Sequence, residues 1–179
     1  MGSSQLTASK FPVAIETSRF YLRELTVDDV SARYLGWFSD SAAKKWIATA
    51  DFTRGLADLR DYVQQRVGRE DVLFLGIFSN TDDVHIGNIK YEPLLQKEGR
   101  AELGVLIGDP AFRGKRVFAE VLAATAAWLK FHRDIRRIYL GVERQNLPAV
   151  TAYQNAGFVA EPALQQAHTL GILRMVLHV

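Results

Sequence analysis

Residues 101–119 read AELGVLIGDPAFRGKRVFA, and their order decides the fold. Ala101, Leu103, Val105 and Ile107 fall on one face of a strand, and Glu102, Gly104, Leu106 and Gly108 on the other. Asp109-Pro110 turns the chain, and the basic, glycine-containing run Arg113-Gly114-Lys115-Arg116 opens directly into an apolar helix. A loop of this kind aims backbone N–H groups and the positive end of a helix dipole at one point, where Arg113, Lys115 and Arg116 add charge. Such a point suits phosphate; the alternative is an ordinary turn with a solvated basic rim.

Downstream, the spacing predicts a helix from Arg116 to Arg133. Val117, Val121, Ala124 and Trp128 form one stripe, with Phe118, Leu122, Thr125 and Leu129 beside it. Thr125 is the polar member, and its hydroxyl can bond back to a carbonyl of the preceding turn. Arg137 to Val142 reads as a strand, and Asn146 as a helix cap before Leu147-Pro148. That helix ends at Gly157, a left-handed position. Phe158–Ala160 and Thr169–Val179 supply closing strands.

Upstream, Phe20–Leu25 reads as a strand. Thr26 and Asp29 form a capping box for a helix carrying Val30, Tyr34, Trp37 and Phe38 on one stripe. The segment AAKKWIATADFT has no clean period, and aromatic residues in irregular segments often line clefts. A second helix follows with Leu56, Leu59, Val63 and Val67 on one face and Gly68 at its end. Leu73–Phe78 and Val84–Tyr91, joined by Ser79–Asp83, form a β-hairpin, and Leu94–Gly99 a turn. The order β-α-α-β-β-β-α-β-α-β-β describes an α/β (α+β) mixed sheet with helices on both faces.

At 179 residues the chain suits a single domain over 19–179, with 1–18 expected as a flexible N-terminal leader. Its 22 basic and 20 acidic side chains leave a charge of +2, too small for a general nucleic-acid binder. There is no cysteine, which removes disulfides and thiolate chemistry. No apolar run approaches the roughly 20 residues of a membrane span, and the N-terminus lacks the apolar core of a signal peptide. A soluble, cytoplasmic protein without a membrane partner is expected. His85, His132, His168 and His178 show no metal-ligand spacing, so no metal is expected. Neither a G-x-S-x-G elbow nor a Walker loop is present.

The runs LGVLIGDPAFRGKRVFAEVL and YLGVERQNLPAVTAYQNAGFVAE, with the opening RFYLRELTVDDVSARYLGWFSD, resemble the GNAT superfamily of N-acetyltransferases. The likeness is to its ribosomal-protein N-acetyltransferase-like branch. The resemblance implies a mostly antiparallel central sheet, splayed where acetyl-CoA binds. It assigns the cofactor to Leu106 and Ile107, to the loop residues Arg113, Gly114, Lys115, Arg116, Val117, Phe118 and Ala119, and to Asn146. In the family pattern, Arg/Gln-x-x-Gly-x-Gly/Ala, the later glycines fall at Arg116 and Phe118, where side chains stand instead. Either Arg116 contacts phosphate itself, or the loop is wider and holds coenzyme A less tightly. Asn146 would meet the pantetheine arm, act only as a helix cap, or do both. The resemblance also raises pairing into a homodimer.

Acyl transfer to an amine needs a neutral amine, a polarised thioester carbonyl and a proton for the departing thiolate. Tyr153, about two turns after Asn146 on the same face, is the family's general acid by resemblance. A tyrosine is protonated at neutral pH and able to donate, though an aromatic there can also simply pack. Glu102, a carboxylate in an otherwise apolar and glycine strand, is the candidate base acting through water. The competing reading is a salt bridge to Arg100, Lys90 or another strand residue. A backbone N–H near Val105 or Leu106 could polarise the carbonyl.

In the family the first two helices and their link form much of the acceptor site, which points here to Trp37, Trp46, Asp51 and Phe52, with Tyr91 from the hairpin. Aromatic walls suit a small amine, amino sugars first. The alternatives are a protein N-terminal acetyltransferase, or a non-catalytic coenzyme A-binding sensor domain.

Overall fold

The computed structural model describes residues 13–39, 55–161 and 171–179. Five strands follow one another antiparallel: β1 (Ala14–Glu16), β2 (Phe20–Glu24), β3 (Leu73–Ser79), β4 (His85–Leu95) and β5 (Arg100–Ile107). β6 (Arg137–Glu143) joins β5 in parallel, and β7 (Val159–Ala160) and β8 (Ile172–His178) complete an eight-stranded sheet ordered β1-β2-β3-β4-β5-β6-β8-β7. The parallel step needs a long crossover, and α3 (Val117–Arg133) supplies it.

Each face of the sheet is covered. Leu73, Leu75 and Ile77 of β3 pack in one cluster with Val121, Leu122 and Leu129 of α3, and residues of α4 (Leu147–Asn155) flank that cluster. Phe74, on the opposite face of the same strand, joins Tyr34 of α1 (Ala32–Gly36) and Leu59 and Val63 of α2 (Leu56–Gln64). Thr125 donates back to the Val121 carbonyl at 2.8 Å, as its place in the helix implies. With that proton committed, its oxygen accepts from the buried Tyr91 hydroxyl at 2.7 Å.

Two expectations are corrected at the N-terminal end. β1 pairs with β2 through Ala14–Glu16 and buries Ile15, so the leader expected over 1–18 includes a strand. The helix expected directly after Thr26 is split. The capping box is present, but it closes a 3₁₀ turn at Val27–Asp29, and Val30 turns extended to bury its side chain. α1 then starts afresh, with the Ser31 hydroxyl accepting from the Tyr34 N–H at 3.2 Å.

Candidate active site

β5 and β6 pair only at Arg100↔Arg137, Ala101↔Ile138 and Glu102↔Tyr139, and from Leu103 onward they part. The Gly108 N–H donates to the Ile86 carbonyl of β4 at 3.0 Å. Backbone direction alternates along a strand, so Leu106 and Gly104 also face β4, while the backbone groups of Leu103, Val105 and Ile107 face the gap. At the end of β5 lies a cleft of about 790 Å³. Its walls are Ile107, the loop at Phe112–Gly114, Arg116–Ala119 at the start of α3, and Asn146, Pro148, Ala149, Ala152 and Asn155 of α4 with its cap.

The loop holds its path through two left-handed residues, Gly114 at φ +72° and Arg116 at φ +57°. Glycine adopts this geometry freely, whereas an arginine is strained there. Arg116 thus takes a backbone conformation that glycine favours. The Arg116 side chain makes no cap bond, so among the described residues the first N–H groups of this 17-residue helix have no side-chain cap, and the helix start lines the cleft. Arg113 is used differently from expectation: its guanidinium bonds the carbonyls of Ile107 (3.0 Å) and Gly108 (2.7 Å), tying the loop to β5. Lys115 does not line the cleft; its carbonyl accepts from Arg19 at 3.0 Å. Arg19 in turn pairs with Glu120 of the first turn of α3 at 2.7 Å. Gly108, at the head of the loop, must lack a side chain because a Cβ there would collide with the indole of Trp37.

Asn146 caps α4 through its side-chain oxygen, which accepts from the Ala149 N–H at 3.3 Å, and it lines the cleft as well. Tyr153 stands beside the cleft, half-buried, with its ring edge-on to Phe118 at 5.2 Å and to Phe158 at 5.9 Å. Burial pushes its hydroxyl above the usual tyrosine range.

The structure brings Ile107, Arg113, Gly114, Arg116, Val117, Phe118, Ala119 and Asn146 together, with Tyr153 adjoining them. Other expectations are corrected. Leu106 turns its backbone to β4 and its side chain into the cluster beneath α1 and α2. For Glu102 the competing reading holds, a salt bridge to another strand residue: each carboxylate oxygen is held by Arg174 of β8, at 2.6 and 2.8 Å. Tyr91 is 0% exposed and belongs to the core under α3; Trp37, 5% exposed, packs against Tyr34 and His85. Neither forms an acceptor wall. Trp46, Asp51 and Phe52 lie outside the described residues. Sequence reasoning missed the small-residue wall of α4, although Pro148, Ala149 and Ala152 share one helical face and could have been read from their spacing. It also missed Arg174, which carries no local signal.

On the face beneath α1 and α2, Glu92 collects Arg66 (2.8 Å), Arg69 (3.2 Å) and Lys90 (2.7 Å), and Lys90 also donates to the Tyr62 hydroxyl at 2.8 Å. Burial works to raise the Glu92 pKa, but the bonds from Lys90 and Arg66 outweigh it and hold the carboxyl below its usual range. Among the described residues no helix is long and apolar enough to cross a membrane.

A family model described as an acetyltransferase (GNAT) domain matches residues 19–159. No protein of curated function matches the chain by sequence. Solved structures share its fold. A RimL ribosomal L7/L12 alpha-N-protein acetyltransferase in complex with coenzyme A superposes with a TM-score of 0.80 at 16% identity, covering 93% of this chain and 98% of its own. A GNAT-family acetyltransferase from Bacillus anthracis gives 0.76 at 18% identity, covering 93% and 98%. A spermidine N-acetyltransferase chimera from Vibrio cholerae and hSSAT gives 0.74 at 17% identity, covering 90% and 96%.

Proposed function

Because the chain belongs to the GNAT acetyltransferase family, we propose that it moves an acetyl group from acetyl-CoA to a primary amine. The observation that carries this reading is the cleft itself, where an uncapped helix start, the strained Arg116 and the cap residue Asn146 meet beside Tyr153. These groups fit the donor. The amides of Val117, Phe118 and Ala119 and the Arg116 guanidinium would hold its diphosphate. Asn146 and the gap-facing backbone of Val105 and Ile107 would align its pantetheine arm. A carbonyl left unpaired in that role is not Ile107's, which Arg113 already occupies.

Bound acetyl-CoA supplies a thioester whose carbonyl carbon an amine can attack. The Val105 N–H, facing the gap, is the donor we assign to the carbonyl oxygen. Tyr153 keeps its proton at neutral pH and gives it to the sulfur as the C–S bond breaks and the C–N bond forms. With both oxygens of Glu102 held by Arg174, the amine's proton leaves through water.

The acceptor we propose is a primary amine on a small molecule, amino sugars first. Stacking on a sugar ring would fall to Trp46 and Phe52, since Trp37 and Tyr91 serve the core. A cytoplasmic site of action accords with a chain free of cysteine. Thiol release from acetyl-CoA across a panel of amino sugars, polyamines and N-terminal peptides tests the reading. Turnover with an amino sugar supports it; turnover of unrelated N-terminal peptides alone would transfer the assignment to protein acetylation. Coenzyme A binding without turnover of any amine would favour the sensor alternative.

A further inference from the structure

One charged pair beside the gap has no part in the chemistry above. Arg174 of β8 stands opposite Gly141 of β6, and its guanidinium crosses β6 to hold Glu102 of β5 through bonds of 2.6 and 2.8 Å. A glycine, Gly141, lies beneath the crossing, and a Cβ there would crowd it: it would lie 3.0 Å from Arg174 Nη1 and 3.8 Å from its Cδ. Glu102 is also the last residue of β5 that pairs with β6, opposite Tyr139. The fork therefore ties three strands at the point where two of them separate. A short parallel ladder is the weaker kind of strand pairing, whereas a bidentate arginine–carboxylate contact is strong and directional.

We propose that Arg174 is a positioning residue for the transfer reaction, gripping Glu102 across Gly141 so that β5 and β6 part at a fixed rung and the Val105 and Ile107 backbone groups keep their aim. The proposal rests on the reading of the gap as the donor site. It makes Glu102 an anchor for the strand rather than the proton acceptor.

The test uses the full chain with Arg174→Met, Arg174→Lys, Glu102→Gln and Gly141→Ala, read by calorimetric titration with coenzyme A, by turnover, and by amide hydrogen exchange of the unliganded protein over residues 103–107. Arg174→Met and Glu102→Gln should each weaken coenzyme A binding by about tenfold or more. Exchange over 103–107 should quicken in both. Combining the two changes should add little to either alone, because they break one interaction. Arg174→Lys should recover part of the loss, and Gly141→Ala should weaken binding while leaving both charges in place. Coenzyme A affinity in Arg174→Met within about twofold of the unaltered protein would overturn the proposal, as would unchanged exchange. So would a Glu102→Gln enzyme that loses turnover at full affinity while Arg174→Met keeps turnover, the pattern of a proton acceptor. Failure of the unaltered protein to bind coenzyme A would instead remove the donor-site reading, and it would be seen in that titration alone, apart from the exchange result.

Discussion

Phe118, in the first turn of α3, meets Tyr153 of α4 edge-on, with ring centroids 5.2 Å apart. The contact links the start of α3 to the acid we propose and holds the phenol in one orientation. Tyr153→Phe keeps that packing and removes only the hydroxyl. Turnover should fall by ~10²–10⁴-fold, the usual contribution of a general acid, with coenzyme A affinity retained. Because burial raises the Tyr153 pKa, its proton persists through neutral and mildly alkaline pH. The basic limb of the rate profile should therefore lie above the ordinary tyrosine range of about 10. Stopped-flow turnover of the variant and a pH series of the unaltered enzyme check both points.

Arg116→Gly separates strain from charge. The left-handed backbone at φ +57° costs an L-residue about 1 kcal/mol, which glycine avoids, partly offset by its greater freedom when unfolded. Chemical denaturation should show stability equal to or slightly above the parent. Coenzyme A binding should weaken, since a guanidinium at the helix start is lost. Unchanged affinity would show that the side chain does not reach the phosphates.

His85 makes the fold sensitive to acid. It sits among Tyr34, Trp37 and Phe78, with Nε2 on the Asn88 side-chain oxygen at 2.8 Å and Nδ1 buried without a side-chain partner among the described residues. Burial lowers its pKa, against the opposing pull of the Asn88 bond and the Asp29 charge. The native state thus binds a proton less readily than the unfolded chain. Its contribution is complete above the unfolded value of about 6.5 and is lost as pH falls from there towards the depressed native value. Denaturation midpoints should decline across that window, and His85→Gln should flatten the decline. An NMR titration placing His85 at or above the unfolded value would contradict this.

Thr125→Val tests the polar contact inside the α3 core. It leaves the Tyr91 hydroxyl buried without an acceptor and should destabilise the fold by about 1–3 kcal/mol. Adding Tyr91→Phe should recover much of that loss, because the orphaned hydroxyl goes with it. Urea denaturation of the two single variants and the double variant measures the coupling.

The fold was legible where the signal is local. The alternation of residues 101–108, the helical stripe from Val117 to Leu129 and the Asn146 cap each depend on near neighbours, and each is found in place. β1 was hidden because three residues become a strand only when β2 supplies their partners. Trp37 and Tyr91 were misassigned because an aromatic residue serves a core or a binding wall equally well. Only their neighbours, Gly108 and Thr125, decide it. The partner of Glu102 lies 72 residues away, and no spacing rule connects a strand carboxylate to one arginine among several. The basic residues of the loop are plain in the sequence, yet the division of labour within it depends on geometry: Arg113 turns back to β5 while Arg116 lines the cleft.

The measurement that tests the central claim most directly is a calorimetric titration of the full chain with acetyl-CoA. The account predicts one site with micromolar or tighter affinity, about −8 kcal/mol, weakened by Arg116→Gly and unaffected by Tyr153→Phe. An absence of binding at ~100 μM protein, confirmed by a second method, would contradict it and leave a GNAT-family fold whose cleft serves another ligand.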